Sequence, residues 1–525
     1  MIFLELLING QLLQDDWSIA ENNFLNNGLT NTWRTNINGF ITRPIAALIF
    51  TLQSSFEYDY YKYFLTNISF YFIFNIIIYK IFLNKYNHSI SIILVALLMF
   101  PNLNSTNIFS PAAQSLGTFS LLLWSISFYL IYFGKQQNNY TKIKISWVFF
   151  FLSVLTYEIS FVLILFNIFF DNEKILLIIK NIFTFKVNKL IKFKEIQIFI
   201  FILFLIVFYQ LIITKFFTIS SSNRYRFLSI DTLSLIIQYS HLPITIIIDT
   251  ITLYKDSIYT FSQKLSYNLI LLFFIIIVTI TIKKKDLLKH KVSSNKNFLL
   301  ITTFSYFLLL IFFIIAKSLP FIDGYYNRAM GAYNFIFSLF IIILIINFPI
   351  NAFFKKFFLI IVIFLNLNLF IAQIESNVIA SKFRNSILQK IITKLDYASL
   401  DEQGYVFSIY PTLVKYKKLN QISFSEESYD FNKALLFATD RKLSGIRLYK
   451  NLECTKKHSL KISNNTITFY QPSKSKRTKK LLKHVVTMNP KNTYYLFNMM
   501  NNSFVNLTSS GNTTIKPTEN ILDCF

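Results

Sequence analysis

The sequence predicts an α-helical polytopic membrane protein with about 11 transmembrane helices and a small C-terminal α+β extracytoplasmic domain. Hydrophobic residues make up 54% of the 525 residues, 60 residues are Phe, and the mean hydropathy is +0.47. This composition is typical of membrane proteins. Near residue 373, long apolar runs give way to mixed polar sequence. We therefore expect a multi-spanning membrane domain over residues 1–372 and an extracytoplasmic domain over residues 373–525.

Ten apolar runs give the predicted spans, and one of them is expected to cross twice. Run 145–170 should form two short helices that meet near Thr156-Tyr157-Glu158, because a single crossing would place the next lysine-rich loop on the wrong side. Pro44–Leu52 is shorter and amphipathic, which predicts an interfacial helix. The ten runs are 2–13, 63–83, 89–100, 113–133, 145–170, 196–213, 267–282, 298–316, 332–346 and 357–371.

Lysine residues predict the orientation of these spans. One set of alternate loops is rich in lysine, whereas the other set is poorer in Lys and Arg although its loops are longer. The positive-inside rule makes the first set cytoplasmic, which places the N-terminus inside and the C-terminal domain outside. The first set carries Lys80, Lys85, Lys135, Lys142, Lys144, Lys174, Lys180, Lys186, Lys189, Lys192, Lys194, Lys283, Lys284, Lys285, Lys289, Lys291, Lys296, Lys355 and Lys356.

The C-terminal region has the pattern of a mixed domain. Residues 375–395 combine polar residues with an apolar stripe at helical spacing, which predicts a helix. Residues 405–410, 434–438 and 466–470 are short β-rich runs that predict strands. No glycine-rich phosphate-binding motif occurs, so nothing supports nucleotide hydrolysis.

Charge and histidine spacing exclude two other classes of site. The net charge of +26 comes from basic residues scattered through short loops, which argues against a nucleic-acid partner. His88, His241 and His290 show no metal-ligand spacing, so we predict no zinc site.

Acidic and basic residues occur together on the predicted outer face. A carboxylate beside cations suits a group transfer in which the acid takes a hydroxyl proton while Arg or Lys holds an anionic leaving group. The adjacent acids Asp15 and Asp16 are costly to place in a mostly apolar protein, which favours a reaction centre at the membrane surface. The outer-face set is Asp15, Asp16, Arg34, Arg43, Glu57, Asp59, Glu158, Lys215, Arg224, Arg226, Lys317, Asp323 and Arg328.

Four short motifs in this set carry a resemblance to a known family. They are Asp15-Asp16-Trp17, Thr42-Arg43-Pro44, Thr156-Tyr157-Glu158 and Tyr325-Tyr326-Asn327-Arg328. Their order and common side resemble the GT-C superfamily of polytopic glycosyltransferases, including mannosyltransferases and arabinosyltransferases. The resemblance covers residues 1–371. It implies a polyprenyl-phosphate-linked sugar as donor, a hydroxyl of a glycan, lipid or protein as acceptor, and action on the extracytoplasmic side of a bacterial inner membrane.

The resemblance also implies roles for individual residues. Asp15 or Asp16 would be the general base on the acceptor hydroxyl, and Glu158 a second acid lining the cavity. Arg43 and Arg328 would contact the donor phosphate, with Arg224 as a further candidate. The motifs establish no cofactor and leave a divalent metal ion open. This sequence departs from the family pattern in its first apolar run. That run contains Glu5, Asn9 and Gln11 and is short for a span.

Each candidate residue also has a structural alternative. The acid pair could be a solvated loop or a helix cap, and Glu158 a surface turn residue. Arg43-Pro44 could be an interfacial anchor with a helix-starting proline, Arg328 a snorkelling flank, and Arg224 a loop charge. Two other functions stay open. A lipid-linked-oligosaccharide translocase would show repeats or intramembrane charges, and a polymerase or ligase would not require the acid pair.

Overall fold

The computed structural model describes residues 16, 19–20, 29–40, 43–56, 59–100, 110–170, 197–198, 200–206, 208–209, 242–258, 265–283, 292–315, 330–395, 404–409, 429–439, 442–447, 460–463, 466–472, 481–488, 492–498, 503–507 and 514–515. The chain divides into two compact units. The first comprises Met1–Leu7 and Asn22–Glu375, and the second comprises Ile8–Glu21 and Ser376–Phe525.

The chain up to residue 395 is helical in nearly all of its described residues. A short 3-10 helix, Gln53–Phe56, follows the second α-helix, and another, Glu158–Leu163, precedes the seventh. The α-helices are α1 Leu29–Gly39, α2 Pro44–Leu52, α3 Tyr60–Lys85, α4 His88–Met99, α5 Pro111–Gln136, α6 Tyr140–Thr156, α7 Ile164–Phe169, α8 Leu242–Ile258, α9 Leu265–Thr281, α10 Val292–Ile315, α11 Gly331–Asn347 and α12 Ala352–Lys394.

The predicted reversal within run 145–170 is confirmed. Helix α6 ends at Thr156, and the chain then returns along α5. Ser120 of α5 contacts both Ser153 and Ser160, whereas Ser127, seven residues later, accepts a 2.8 Å hydrogen bond from Asn167. The segment after the reversal, here named the return segment and formed by Glu158–Leu163 and Ile164–Phe169, therefore runs antiparallel to α6. Whether both legs cross a membrane stays a prediction.

Lysines from the predicted cytoplasmic loops meet at one end of the first unit, here named the lysine end and defined by Lys85, Lys135, Lys283, Lys355 and Lys356. Three of them donate hydrogen bonds to carbonyls at helix C-termini, which lack partners within their own helices. The acceptors are Asn167 O and Ile168 O of α7 for Lys135, Ile346 O of α11 for Lys355, and Ile282 O just beyond α9 for Lys356.

Further contacts place neighbouring turns at the lysine end. Asn84 of α3 donates a 3.0 Å hydrogen bond to Gln136 at the end of α5. The Lys283 amide donates to the Ser89 hydroxyl at the start of α4, and the Lys85 ammonium lies 5.7 Å from the centre of the Phe170 ring. Lysines of four loops in the predicted cytoplasmic set, together with the C-terminal end of α7, thus share one end.

The first unit has a surface suited to hydrocarbon. Ser, Thr and Asn side chains are buried between its helices, while large apolar side chains point outward, which reverses the pattern of a water-soluble protein. Three described helices, α3, α5 and α12, are long and apolar enough to cross a membrane. These features are compatible with a membrane protein, and the count of about 11 spans stays a prediction. The outward side chains include Phe72, Ile73, Ile76, Leu272, Phe273, Ile280, Phe353 and Phe357.

The second unit contains two small sheets. One has the order β2-β1-β6-β7, with β1 parallel to β2 and β6, and the other is antiparallel with the order β5-β4-β3-β8. The strands are β1 Gly404–Ile409, β2 Leu443–Arg447, β3 Leu460–Ser463, β4 Thr466–Pro472, β5 Leu481–Thr487, β6 Thr493–Asn498, β7 Ser503–Asn506 and β8 Thr514–Ile515.

Two of the three predicted strands are confirmed and one is wrong. Runs 405–410 and 466–470 fall on β1 and β4, whereas run 434–438 lies in helix α13, Tyr429–Ala438. Helix α13 lies against β2, where Asn432 accepts a 2.8 Å hydrogen bond from the Gly445 amide. A Cβ at Gly445 would meet the Phe431 ring at 2.6 Å, so this contact requires glycine.

Candidate functional site

Arg43 and Glu158, which are 115 residues apart in sequence, form an ion pair in the first unit. The Arg43 Nε atom donates to both Glu158 carboxylate oxygens at 2.9 and 3.0 Å, and Nη2 lies 2.9 Å from Oε2. The Tyr157 ring lies against the same guanidinium, with its centre 4.9 Å from Cζ. Two of the family-like motifs therefore meet at one point.

The local sequence explains the position of Arg43. Pro44 occupies the first turn of α2, where its missing amide hydrogen costs nothing and its fixed φ favours helix initiation. Arg43 thus precedes the helix directly, and its carbonyl accepts from the Ala47 amide at 3.1 Å. Helix α2 buries Ala46, Ala47 and Phe50, which fixes the direction in which the chain enters the helix.

Glu158 is placed by the reversal between α6 and the return segment. Tyr157 adopts an extended conformation, with φ −153° and ψ 114°, so the chain leaves α6 and begins a 3-10 helix at Glu158. An acid in the first turn of a helix is favoured by the partial positive charge of the helix N-terminus. The carboxylate of Glu158 therefore has both a guanidinium and a helix terminus nearby.

Serine side chains bring α5, α6 and the return segment close together beside Glu158. The Ser120 hydroxyl donates to the Ser153 carbonyl at 2.8 Å, and the Ser153 hydroxyl donates to the Ser120 carbonyl at 2.7 Å. Ser120 also hydrogen-bonds to Ser160. Small polar side chains allow this close approach in helical membrane bundles, so the serines position the reversal.

The ion pair is partly accessible. The Arg43 side chain is 21% exposed and the Glu158 side chain is 11% exposed. Partial desolvation strengthens the attraction compared with a surface pair, and the planar guanidinium matches a carboxylate or a phosphate in the same two-point geometry. The Arg43 guanidinium can therefore bind a carboxylate, as it does here, or a phosphate in its place.

The pair lies at the end of α6 that is remote from the lysine end. Helix α6 starts in the turn beside Gln136 and has 17 residues, so its far end is about 25 Å away. Asp59 caps α3 at the helix end opposite Lys85 by accepting from the Tyr61 amide at 3.0 Å. We call the end of the first unit that holds the ion pair and Asp59 the Arg43–Glu158 end.

The structure describes three of the six predicted site residues. It brings Arg43 and Glu158 together, and it places Asp16 in a helical position that is fully buried, within the second unit. Asp15, Arg224 and Arg328 lie outside the described residues. The predicted roles of all six stay predictions.

The sequence interpretation missed Tyr157 as a contact of Arg43 and missed the serines beside it. A signal for the serines exists, because Ser120 and Ser127 are seven residues apart, as are Ser160 and Asn167. Residues at that spacing share one face of a helix.

A second group of buried polar residues, made of Asn and Tyr side chains, stabilises the end of α4. The Asn366 amide donates to Leu97 O at 2.9 Å and to Phe100 O at 3.1 Å, and it accepts from the Tyr254 hydroxyl at 2.7 Å. The Tyr71 hydroxyl donates to Leu98 O. These bonds satisfy helix-terminal carbonyls, which is a structural role.

Comparisons with known proteins identify no relative. No family model matches the chain, and neither the curated proteins nor the solved structures contain a match. Within the part of the chain that the structure describes, no group of three or more His, Cys, Asp or Glu side chains could hold a metal ion.

Proposed function

We propose that this protein is an integral membrane glycosyltransferase that resembles the GT-C superfamily. It transfers a sugar from a polyprenyl-phosphate donor to a hydroxyl acceptor on the extracytoplasmic side of the membrane. The observation that supports this function is the meeting of Thr42-Arg43-Pro44 with Thr156-Tyr157-Glu158 in one partly accessible ion pair. Two motifs that the resemblance makes part of one site are thus adjacent.

The position of this pair within the first unit supports the proposed side of action. The lysine end gathers residues that the positive-inside rule assigns to the cytoplasm, and the Arg43–Glu158 end lies about 25 Å away along α6. A lipid phosphate at the outer membrane surface would meet the Arg43–Glu158 end.

The proposed reaction assigns each group a step. The acceptor hydroxyl oxygen forms a bond to the anomeric carbon of the sugar while the bond between that carbon and the phosphate oxygen breaks. A carboxylate accepts the hydroxyl proton. The leaving group is the polyprenyl phosphate, whose phosphate oxygen takes the electron pair and the negative charge. Arg43 binds the phosphate, and Asp15, ahead of Asp16, is our choice as the base.

Carboxamide variants test the assignment. Asp15→Asn and Asp16→Asn remove basicity at nearly constant shape, so one of them should reduce sugar transfer by roughly 10²–10⁴-fold. Mass spectrometry of surface glycans from a deletion strain complemented with each variant measures the effect. Asp59→Asn is the matched control, because it removes a carboxylate at the Arg43–Glu158 end but keeps an oxygen that caps α3.

Two outcomes would contradict the proposal. Wild-type glycan from both single variants and from the double variant, at normal protein levels, would remove the base from the acid pair. A deletion strain that accumulates the complete lipid-linked oligosaccharide would instead identify a translocase, because a missing transferase leaves a glycan that lacks a sugar.

A further inference from the structure

Glu158 occupies the position at which a phosphate would bind Arg43. Its two oxygens lie 2.9 and 3.0 Å from Nε, and Oε2 lies 2.9 Å from Nη2. A phosphate accepts from the same donors in the same planar geometry. A carboxylate and a phosphate cannot both take these two donors in this way, so the two anions compete for the Nε–Nη2 edge of the guanidinium.

We propose that Glu158 is an internal competitor that holds Arg43 in a closed pair until the donor's lipid phosphate displaces it. This inference rests on the proposed function and adds its regulation. The closed pair keeps a cation from lying unpaired at the edge of an apolar bundle, where it would be costly. The phosphate then binds the Arg43 guanidinium. Glu158 is released as a carboxylate that faces the reaction site.

Tyr157 allows this exchange without loss of the guanidinium's position. Its ring faces Arg43 at 4.9 Å, and this contact does not use the nitrogen donors that bind Glu158. The Arg43 side chain is also the more exposed partner, at 21% against 11%, so an incoming anion has access to it.

Binding of undecaprenyl phosphate to the full chain in nanodiscs tests the inference, with undecaprenol as the control for the lipid tail. Glu158→Gln removes the competing charge and should bind undecaprenyl phosphate about tenfold more tightly than wild type, as expected if Arg43 is open in roughly a tenth of molecules. Arg43→Gln should weaken binding, and adding it to Glu158→Gln should abolish the gain. Glu158→Asp keeps the charge on a shorter side chain and should give intermediate affinity.

The outcomes separate this inference from the proposed function. If wild type binds undecaprenyl phosphate and folded Glu158→Gln binds it equally or more weakly, the competitor role is overturned while the donor class stands. If Glu158→Gln does not fold, an affinity of Glu158→Asp equal to wild type overturns the role. If no folded variant distinguishes undecaprenyl phosphate from undecaprenol, the donor class itself is overturned.

Discussion

Arg43 and Glu158 form an ion pair that is neither fully buried nor fully exposed, and this position determines its contribution to stability. Fully exposed pairs contribute little because water and salt screen them, whereas buried pairs carry a large desolvation cost. Here the geometry is two-point and the Tyr157 ring shields one face. We expect a net favourable coupling.

A double-mutant cycle measures this coupling. Arg43→Gln, Glu158→Gln and the double variant should each lower the free energy of unfolding, with a coupling between the two sites of about 1–2 kcal/mol. The physical reason is that either single change removes the ion-pair contact of the remaining charge. Unfolding by SDS titration of the purified protein gives the three values, and additivity within about 0.3 kcal/mol would show that the pair does not stabilise the fold.

The sequence predicted both members of this pair as functional candidates but did not predict their contact. Each motif was recognisable because its residues are unusual beside an apolar run. Their pairing depends on how α2 packs against the reversal after α6, and a tertiary contact across 115 residues has no local signal. Asp16 shows the same limit, since its burial within the second unit could not be inferred from neighbouring residues.

Among the helices, the lysines at the lysine end have two roles. They predict the orientation of the spans, and they cap helix C-termini. Lys135 donates to two carbonyls of α7 at 3.2 Å each, which places a positive charge at the negative end of that helix. A lysine in a cytoplasmic loop would serve the positive-inside rule from any position. The helix-terminal position adds stability that the rule does not require.

Lys135→Met tests the capping role. The change keeps the length of the side chain but removes the charge and both donors, so it should destabilise the protein by about 1 kcal/mol. Lys144→Met is the matched control, because it removes one charge from an exposed residue assigned to the same predicted loop. Equal thermal unfolding temperatures for the two variants in detergent would contradict the capping role.

Helices and strands were predicted correctly where the length of an apolar run agreed with the position of nearby lysines. The prediction was wrong where a short apolar run was the only signal. The reversal near Tyr157 followed from a long run and the side on which lysines had to fall. Run 434–438 has five apolar residues, which fit a strand or a buried helix turn equally well. Its Ala and Leu residues, preceded by Lys433, favour helix, and the chain there forms α13.

For the whole molecule, the central claim is that the lysine end faces the cytoplasm and the Arg43–Glu158 end faces outward. Both ends belong to the first unit, and α3, α5 and α6 run between them. The proposed function depends on this orientation, because the acceptor and the lipid phosphate would have to reach Arg43 from outside the cell.

Cysteine labelling tests this claim most directly. Ser55 lies exposed in the 3-10 helix that precedes α3, and Gln137 lies exposed in the turn between α5 and α6 at the lysine end. After Cys454 and Cys524 are replaced by serine, Ser55→Cys in intact spheroplasts should react with a membrane-impermeant maleimide. Gln137→Cys should react only after permeabilisation. Labelling of Gln137→Cys with protection of Ser55→Cys, or reaction of both from one side, would contradict the orientation and with it the proposed extracytoplasmic site.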